Sequence, residues 1–162
     1  MNEGEFTIRD FRLRDFNALW EIDQKCFPLG ISYSRMELLT YMRRLRSFTL
    51  VAEHAKGDGP GPVGFIVAEA GRQKTGHIIT IDVLEEARRS GLGSRLLAAA
   101  EQRLQEAGCR AVFLETAVDN LAALAFYKRH QYFLVKTLPR YYSNGVDAFM
   151  LKKDLLAPDV EL

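Results

Sequence analysis

The stretch RRSGLGSRLL, residues 88–97, sets two arginines before two glycines and an apolar helical run directly behind them. A strand-like segment, HIITIDVL at 77–84, precedes it, so the chain must pass from strand to helix through this turn. That passage leaves several backbone N–H groups unpaired and brings the positive end of a helix dipole to the same spot. Such a spot binds anions, phosphate above all. Gly91 and Gly93 have no Cβ, which lets the backbone turn tightly and approach an anion, while Arg88, Arg89 and Arg95 add positive charge. Taken alone, the turn also reads as a plain helix start with solvated arginines. Spacing excludes two other phosphate loops: no GxxxxGK[ST] run occurs, and Leu96 fills the third position of GxGxxG.

The segments on either side follow from periodicity. Leu92, Leu96, Leu97, Ala100 and Leu104 share one helical face, with Gly108 where a C-terminal cap belongs. Ahead of the turn, FTLVAE (48–53), PVGFIVAEA (62–70) and HIITIDVL (77–84) read as an antiparallel meander, with KGDGPG (56–61) as its first turn. The chain opens with a short strand, FTIRDF (6–11), and a helix over 14–27 carrying Phe16, Leu19, Trp20, Ile22 and Phe27. Pro28 and Gly30 break that helix, and a second runs over 34–45 with Ser34 as N-cap. RAVFLETAV (110–118) is apolar enough for a strand covered on both faces. A helix over 119–130, opened by Asp119 or Asn120, and strands at 132–138 and 147–153 complete the domain. Residues 1–155 are expected to form a single α/β domain, and 156–162 a loose tail.

Composition removes several classes. A net charge of +1 is too balanced for a general nucleic-acid or membrane-surface binder, so any anion site must be local. No apolar run approaches the roughly 20 residues of a membrane span, and MNEGEFTIRD is acidic where an export signal would be basic and then apolar. A cytoplasmic protein is expected, with no nucleic acid or membrane among its partners. Cys26 and Cys109 lack CxxC or Cys/His spacing, so no metal site and no disulfide framework is read.

Arg88, Gly91 and Gly93 fit [Q/R]-x-x-G-x-[G/A], and Asn120, Ala123, Phe126 and Tyr127 fit N-x-x-A-x-x-[F/L]-Y. These two motifs, in this order over residues 5–153, resemble the GNAT superfamily of N-acetyltransferases. The resemblance implies an acyl-CoA N-acyltransferase fold: a mixed, mostly antiparallel sheet, helices on both faces, and a splayed central parallel pair near 77–84 and 110–118. It further implies that acetyl-coenzyme A is held by the main-chain amides of Arg89, Ser90, Gly91, Leu92, Gly93 and Ser94. A main-chain N–H near Val83 would polarise the thioester, Asn120 would touch the pantetheine arm, and Tyr127 would serve as general acid. The sequence departs from the family where Gln131 and Tyr132 replace the usual G-F. Within the superfamily it looks most like the RimI-type N-terminal acetyltransferases. CFP (26–28) and YS (33–34) resemble one wall of their peptide site, implicating Phe27, Pro28 and Tyr33. RYYSNGVDAFMLKK resembles their last hairpin, implicating Tyr141 and Tyr142, and Glu115 stands five residues before Asn120, at the spacing of their general base.

The chemistry is consistent with these residues. Acetyl transfer to an amine needs a neutral nucleophile, a donor for the developing oxyanion and a proton for the departing thiolate. Glu115, a lone carboxylate in VFLETAV, suits the base, directly or through water; pairing with an arginine is its structural alternative. His77 is a second candidate for that role, whereas His54 and His130 carry no assignment. Deprotonating a lysine at neutral pH costs about 3 kcal/mol more than deprotonating an α-amino group, so a single carboxylate favours the N-terminus. Three functions remain open at this point: an Nα-acetyltransferase of ribosomal-protein or other N-termini, a small-molecule amine acetyltransferase, and a silent acyl-coenzyme A sensing module. A monomer or weak homodimer is expected.

Overall fold

The computed structural model describes residues 4–55, 59 and 61–155. Among the described residues seven strands form one sheet: β1 (Phe6–Asp10), β2 (Ser47–His54), β3 (Pro62–Ala70), β4 (Thr75–Val83), β5 (Ala111–Ala117), β6 (Phe133–Leu138) and β7 (Ala148–Asp154). Their spatial order is β1-β2-β3-β4-β5-β7-β6, antiparallel throughout except for the parallel pair β4 and β5. Side chains alternate across a strand, so β2 and β3 feed two cores. Val51, Phe65 and Val67 meet Leu19 and Ile22 of α1 (Phe16–Cys26) and Leu38 of α2 (Arg35–Met42). Leu50, Ala52, Ile66 and Ala68 face the opposite way, onto Leu92, Leu96, Leu97, Ala100 and Leu104 of α3 (Leu92–Glu106). Tyr127 of α4 (Leu121–Arg129) joins this second core. Helices therefore cover both faces, and among the described residues none is long and apolar enough to cross a membrane.

Local chemistry sets the element ends. Ser34 caps α2, its hydroxyl accepting from Glu37 N at 3.1 Å while the Glu37 carboxylate accepts from Ser34 N at 3.1 Å. The helix stops at Met42, three residues short of the expected end. The Ser47 hydroxyl takes the Met42 and Arg44 carbonyls, and the chain reverses there into β2. Gly108 has φ +95° and closes α3 as expected, with Cys109 N donating to Leu104 O at 2.9 Å. β4 begins two residues earlier than its apolar pattern implies, at Thr75. The expected 56–61 turn lies mostly, and the 156–162 tail wholly, outside the described residues.

The expected parallel pairing is much shorter than the two strands that make it. β4 and β5 are in register only at Thr75, Gly76 and His77, opposite Ala111, Val112 and Phe113. Beyond His77 each strand follows its other neighbour. β4 stays on β3 through a bulge that leaves Ile79 without a partner, and β5 stays on β7 as far as Ala117. The two therefore diverge into a V-shaped gap. Its apex is packed to the limit: a Cβ on Gly76 would stand 2.8 Å from Leu104, which is fully buried. Gly76→Val is expected to destabilise the fold by about 1–3 kcal/mol, read as a lower urea midpoint; an unchanged midpoint would show that the apex can give.

Candidate active site

Two chain segments enter the open end of the gap. Leu84 N donates to Val63 O of β3 at 2.8 Å, so the preceding residue, Val83, turns its main-chain N–H and carbonyl toward the gap. Val83 O accepts from Arg88 Nε at 2.8 Å and Cys26 Sγ at 3.5 Å, and Arg88 Nη2 reaches Cys26 Sγ at 3.7 Å. The Arg88 side chain, expected to add charge at an anion site, thus ties the loop to β4 and α1. The loop then winds through a 3-10 turn, Glu85–Ala87, and the Ser90 hydroxyl donates to Ala87 O at 2.6 Å. Arg89 and Gly91 are both left-handed, at φ +63° and +77°. The first helical bond of α3 is Arg95 N to Gly91 O, so the amides of Leu92, Gly93 and Ser94 find no carbonyl within the helix.

The two glycines differ in what they permit. A Cβ at Gly91 would meet nothing within 4 Å, and its positive φ is what favours glycine. At Gly93 a Cβ would lie 3.5 Å from the Phe126 ring, an ordinary contact that explains why alanine is allowed there.

α4 closes this side of the gap. Asn120 Oδ1 accepts from Ala123 N at 3.1 Å and caps the helix, which begins one residue later than Asn120 itself. Tyr127 is buried, its ring edge-on to Phe126 and Tyr132, and burial drives its phenol well above the ordinary tyrosine value, with Asp82 and Tyr142 adding to the rise. The departure from G-F is absorbed in place. Gln131 takes φ +69°, the left-handed turn a glycine would take, and Tyr132 N donates to Tyr127 O at 3.0 Å. The Tyr132 hydroxyl reaches Glu101 at 2.8 Å.

Glu115 is not a lone carboxylate. Its Oε2 lies 2.7 Å from His77 Nε2 across the apex, and the His77 ring stacks on Phe113 with centroids 4.3 Å apart. The partner is a histidine rather than the arginine considered as its structural alternative. The tyrosines expected to line a peptide site come near this pair. Tyr33 donates its hydroxyl to Ile79 O at 3.3 Å, inside the β4 bulge. Tyr141 and Tyr142 lie within electrostatic reach of Glu115; burial first, and then charge from their neighbours, raises both phenols, that of Tyr141 to about 12. Phe27 closes α1 and is half-buried, and the Pro28 carbonyl accepts from Ile31 N and Ser32 N.

Sequence reasoning missed how the two loops meet. Gly30, at φ +91°, lies so close to the 139–147 loop that a Cβ there would stand 2.6 Å from Asn144 Cβ, and the Ser143 hydroxyl donates to Gly30 O at 2.9 Å. No periodicity marks such a contact; only the glycine in the helix break hinted at it.

A sequence model described as the Acetyltransferase (GNAT) family matches residues 16–132. The chain belongs to this family. Its relatives include the N-alpha-acetyltransferase of Sulfurisphaera tokodaii, 31% identical over 93% of this chain and 94% of that one. N-alpha-acetyltransferase 30 of Schizosaccharomyces pombe is 38% identical over 88% and 94%. Among solved structures, Ard1 from Thermoplasma volcanium superposes with a TM-score of 0.84 at 29% identity, covering 94% of this chain and 99% of that one.

This GNAT enzyme is an acetyl-coenzyme A-dependent acetyltransferase. The residues present fit that cofactor. Three helix-terminal amides and a clear space over Gly91 suit a diphosphate, and the diverging strands leave a slot with the Val83 N–H on its edge. Gly91→Asp forces a side chain into a left-handed position and sets negative charge at the loop. It is expected to weaken acetyl-coenzyme A binding at least about tenfold by calorimetry; unchanged affinity would remove the loop from the cofactor site.

Proposed function

We propose that this GNAT enzyme acetylates the α-amino group of protein N-termini, in the manner of RimI-type enzymes, by direct attack in a ternary complex. The observation that carries the reading is the pair of walls, 27–34 and 139–147, joined at Gly30 and Asn144 beside the His77–Glu115 pair. An extended peptide needs two walls; a small amine does not. The curated relatives that bear the N-alpha-acetyltransferase name support it.

Bound acetyl-coenzyme A supplies a thioester carbonyl open to attack by an amine. The chain's own groups do the rest. With His77 Nε2 donating to its Oε2, the Glu115 carboxylate is the proton acceptor, drawing the proton from the incoming ammonium directly or through water. The Val83 N–H, directed into the gap, is placed to donate to an oxygen that gains charge. Tyr127 Oη, kept protonated by burial, holds the proton that a departing thiolate needs. Tyr33, Tyr141 and Tyr142, with Phe27 and Pro28, would line the path of the peptide backbone. Both cysteines are free thiols, and burial pushes Cys26 up to about 11, which does not suit a covalent intermediate. A cytoplasmic, monomeric or weakly dimeric enzyme fits this reading.

Thiol release with free-N-terminus peptides, their N-blocked lysine-bearing counterparts and a set of small amines tests the acceptor. Turnover is expected with free N-termini alone; turnover confined to small amines would overturn the peptide reading. Tyr127→Phe is expected to lower kcat by about a hundredfold or more with acetyl-coenzyme A affinity unchanged, and equal kcat would remove it as the acid. Gly30→Ala is expected to raise the peptide KM several-fold with little effect on kcat, since it parts the walls and leaves the proton relay intact.

A further inference from the structure

Beneath the 27–34 loop lies a polar pair that the transfer chemistry does not use. Asp23 on α1 and Asp82 on β4 are 0% and 1% exposed, the most deeply buried acidic residues described. Asp23 Oδ2 accepts from Tyr33 N at 2.7 Å, and Asp82 Oδ1 accepts from the Thr80 hydroxyl. The remaining oxygens, Asp23 Oδ1 and Asp82 Oδ2, are buried without a hydrogen-bond donor among the described residues, and each carboxyl acts on the other's titration. Carboxylate oxygens only accept, so two ionised groups would face each other with lone pairs alone in a site closed to solvent. One proton resolves this: Asp82 as the acid donates to the Asp23 carboxylate.

The pair sits at a junction. The Asp23 backbone carbonyl accepts from Phe27 N at 3.1 Å while its side chain holds Tyr33 N, so one residue ties both ends of the loop between them. Tyr33 O in turn accepts from Trp20 Nε1 at 3.1 Å and Gln24 Nε2 at 2.7 Å. Asp82 directly precedes Val83, whose main chain faces the gap. Other charged or titratable groups face the pair from every side. Arg88 and Cys26 lie near Asp82, Glu37 of α2 acts on Asp23, and the phenols of Tyr33 and Tyr127 respond to Asp23 and Asp82 respectively. Arg88 makes its hydrogen bonds to Val83 O and Cys26, not to either carboxylate.

We propose that Asp23 and Asp82 form a one-proton clamp that positions the 27–33 wall against the open edge of β4, and that losing this proton in alkaline solution releases the wall and weakens acceptor binding. The clamp rests on the reading of 27–33 as a wall of the acceptor site. Burial holds Asp82 far above the ordinary carboxylate range and Asp23 above it as well. A carboxyl raised in the folded state stabilises that state fully below its unfolded value of about 4. The contribution is lost as pH rises through the folded value.

Trp20 is the only tryptophan in the chain and is bonded to the loop, so its fluorescence reports the wall without any substrate. Wild type, Asp82→Asn and Asp82→Ala are compared from about pH 6 to about pH 10 by Trp20 emission, peptide KM and acetyl-coenzyme A affinity. Wild type is expected to show an alkaline step in Trp20 emission, with a KM that rises about tenfold relative to Asp82→Asn and cofactor affinity unchanged. Asp82→Asn carries a donor that does not titrate and is expected to lack both steps. Asp82→Ala is expected to show the released emission and raised KM already at neutral pH. The proposal is overturned if Asp82→Asn tracks wild type across the range, and that comparison decides even if Asp82→Ala fails to fold. An emission step in wild type that Asp82→Asn removes, in a protein that ignores peptides, would uphold the clamp and refute the acceptor reading. Peptide turnover without the step would do the reverse.

Discussion

Three residue pairs at the apex of β4 and β5 hold the enzyme together and open it at the same time. The parallel ladder ends at His77 and Phe113 because each strand has a stronger commitment on its other side, β4 to β3 and β5 to β7. Hydrogen-bonding capacity left unused between the strands becomes available to ligands. The Val83 main chain faces the gap for this reason, and His77 and Glu115, one from each strand, meet at its narrow end. Packing then distinguishes the two faces of the sheet. α3 and its glycine loop sit on one side of the sheet, and α1 with the 27–34 loop on the other.

Left-handed backbone occurs in the β3–β4 turn, at Gln73 and Lys74, and again in the loops beside the gap. Arg89, Gly91 and Gln131 are left-handed around the glycine loop and the end of α4, and Gly30 is left-handed where the 27–34 and 139–147 loops touch. A non-glycine residue in that region costs about 1–2 kcal/mol. The surrounding core, with Leu92, Leu96 and Leu97 buried beneath the loop, is what keeps these conformations in place.

Much of this was legible in the sequence, for identifiable reasons. The α3 face and the Gly108 cap follow from 3.6-residue spacing and the chemistry of a helix end, and the meander from runs of strand-forming residues between turns. The glycine loop and the N-x-x-A-x-x-[F/L]-Y helix pointed to the family because two unrelated spacings occurred in the right order. What remained hidden depends on pairs distant in the chain. The apolar runs 77–84 and 110–118 gave no sign that only three residues of each would pair. Glu115 looked solitary because its partner lies 38 positions away on another strand. Nothing in the sequence marks Asp23 and Asp82 as a pair, since a lone aspartate on a helix or strand is ordinarily solvated, and only the fold buries them together.

His77 and Glu115, 2.7 Å apart at the apex, are proposed to act as one unit in accepting the proton. Kinetics of His77→Gln, Glu115→Gln and the double variant with a free-N-terminus peptide test it most directly. If the two work as a unit, either single change removes nearly all the kcat that the pair supplies, and the double variant is little worse than either single one. Losses that multiply in the double variant would mean that the two residues act independently, and that the pair is no single acceptor.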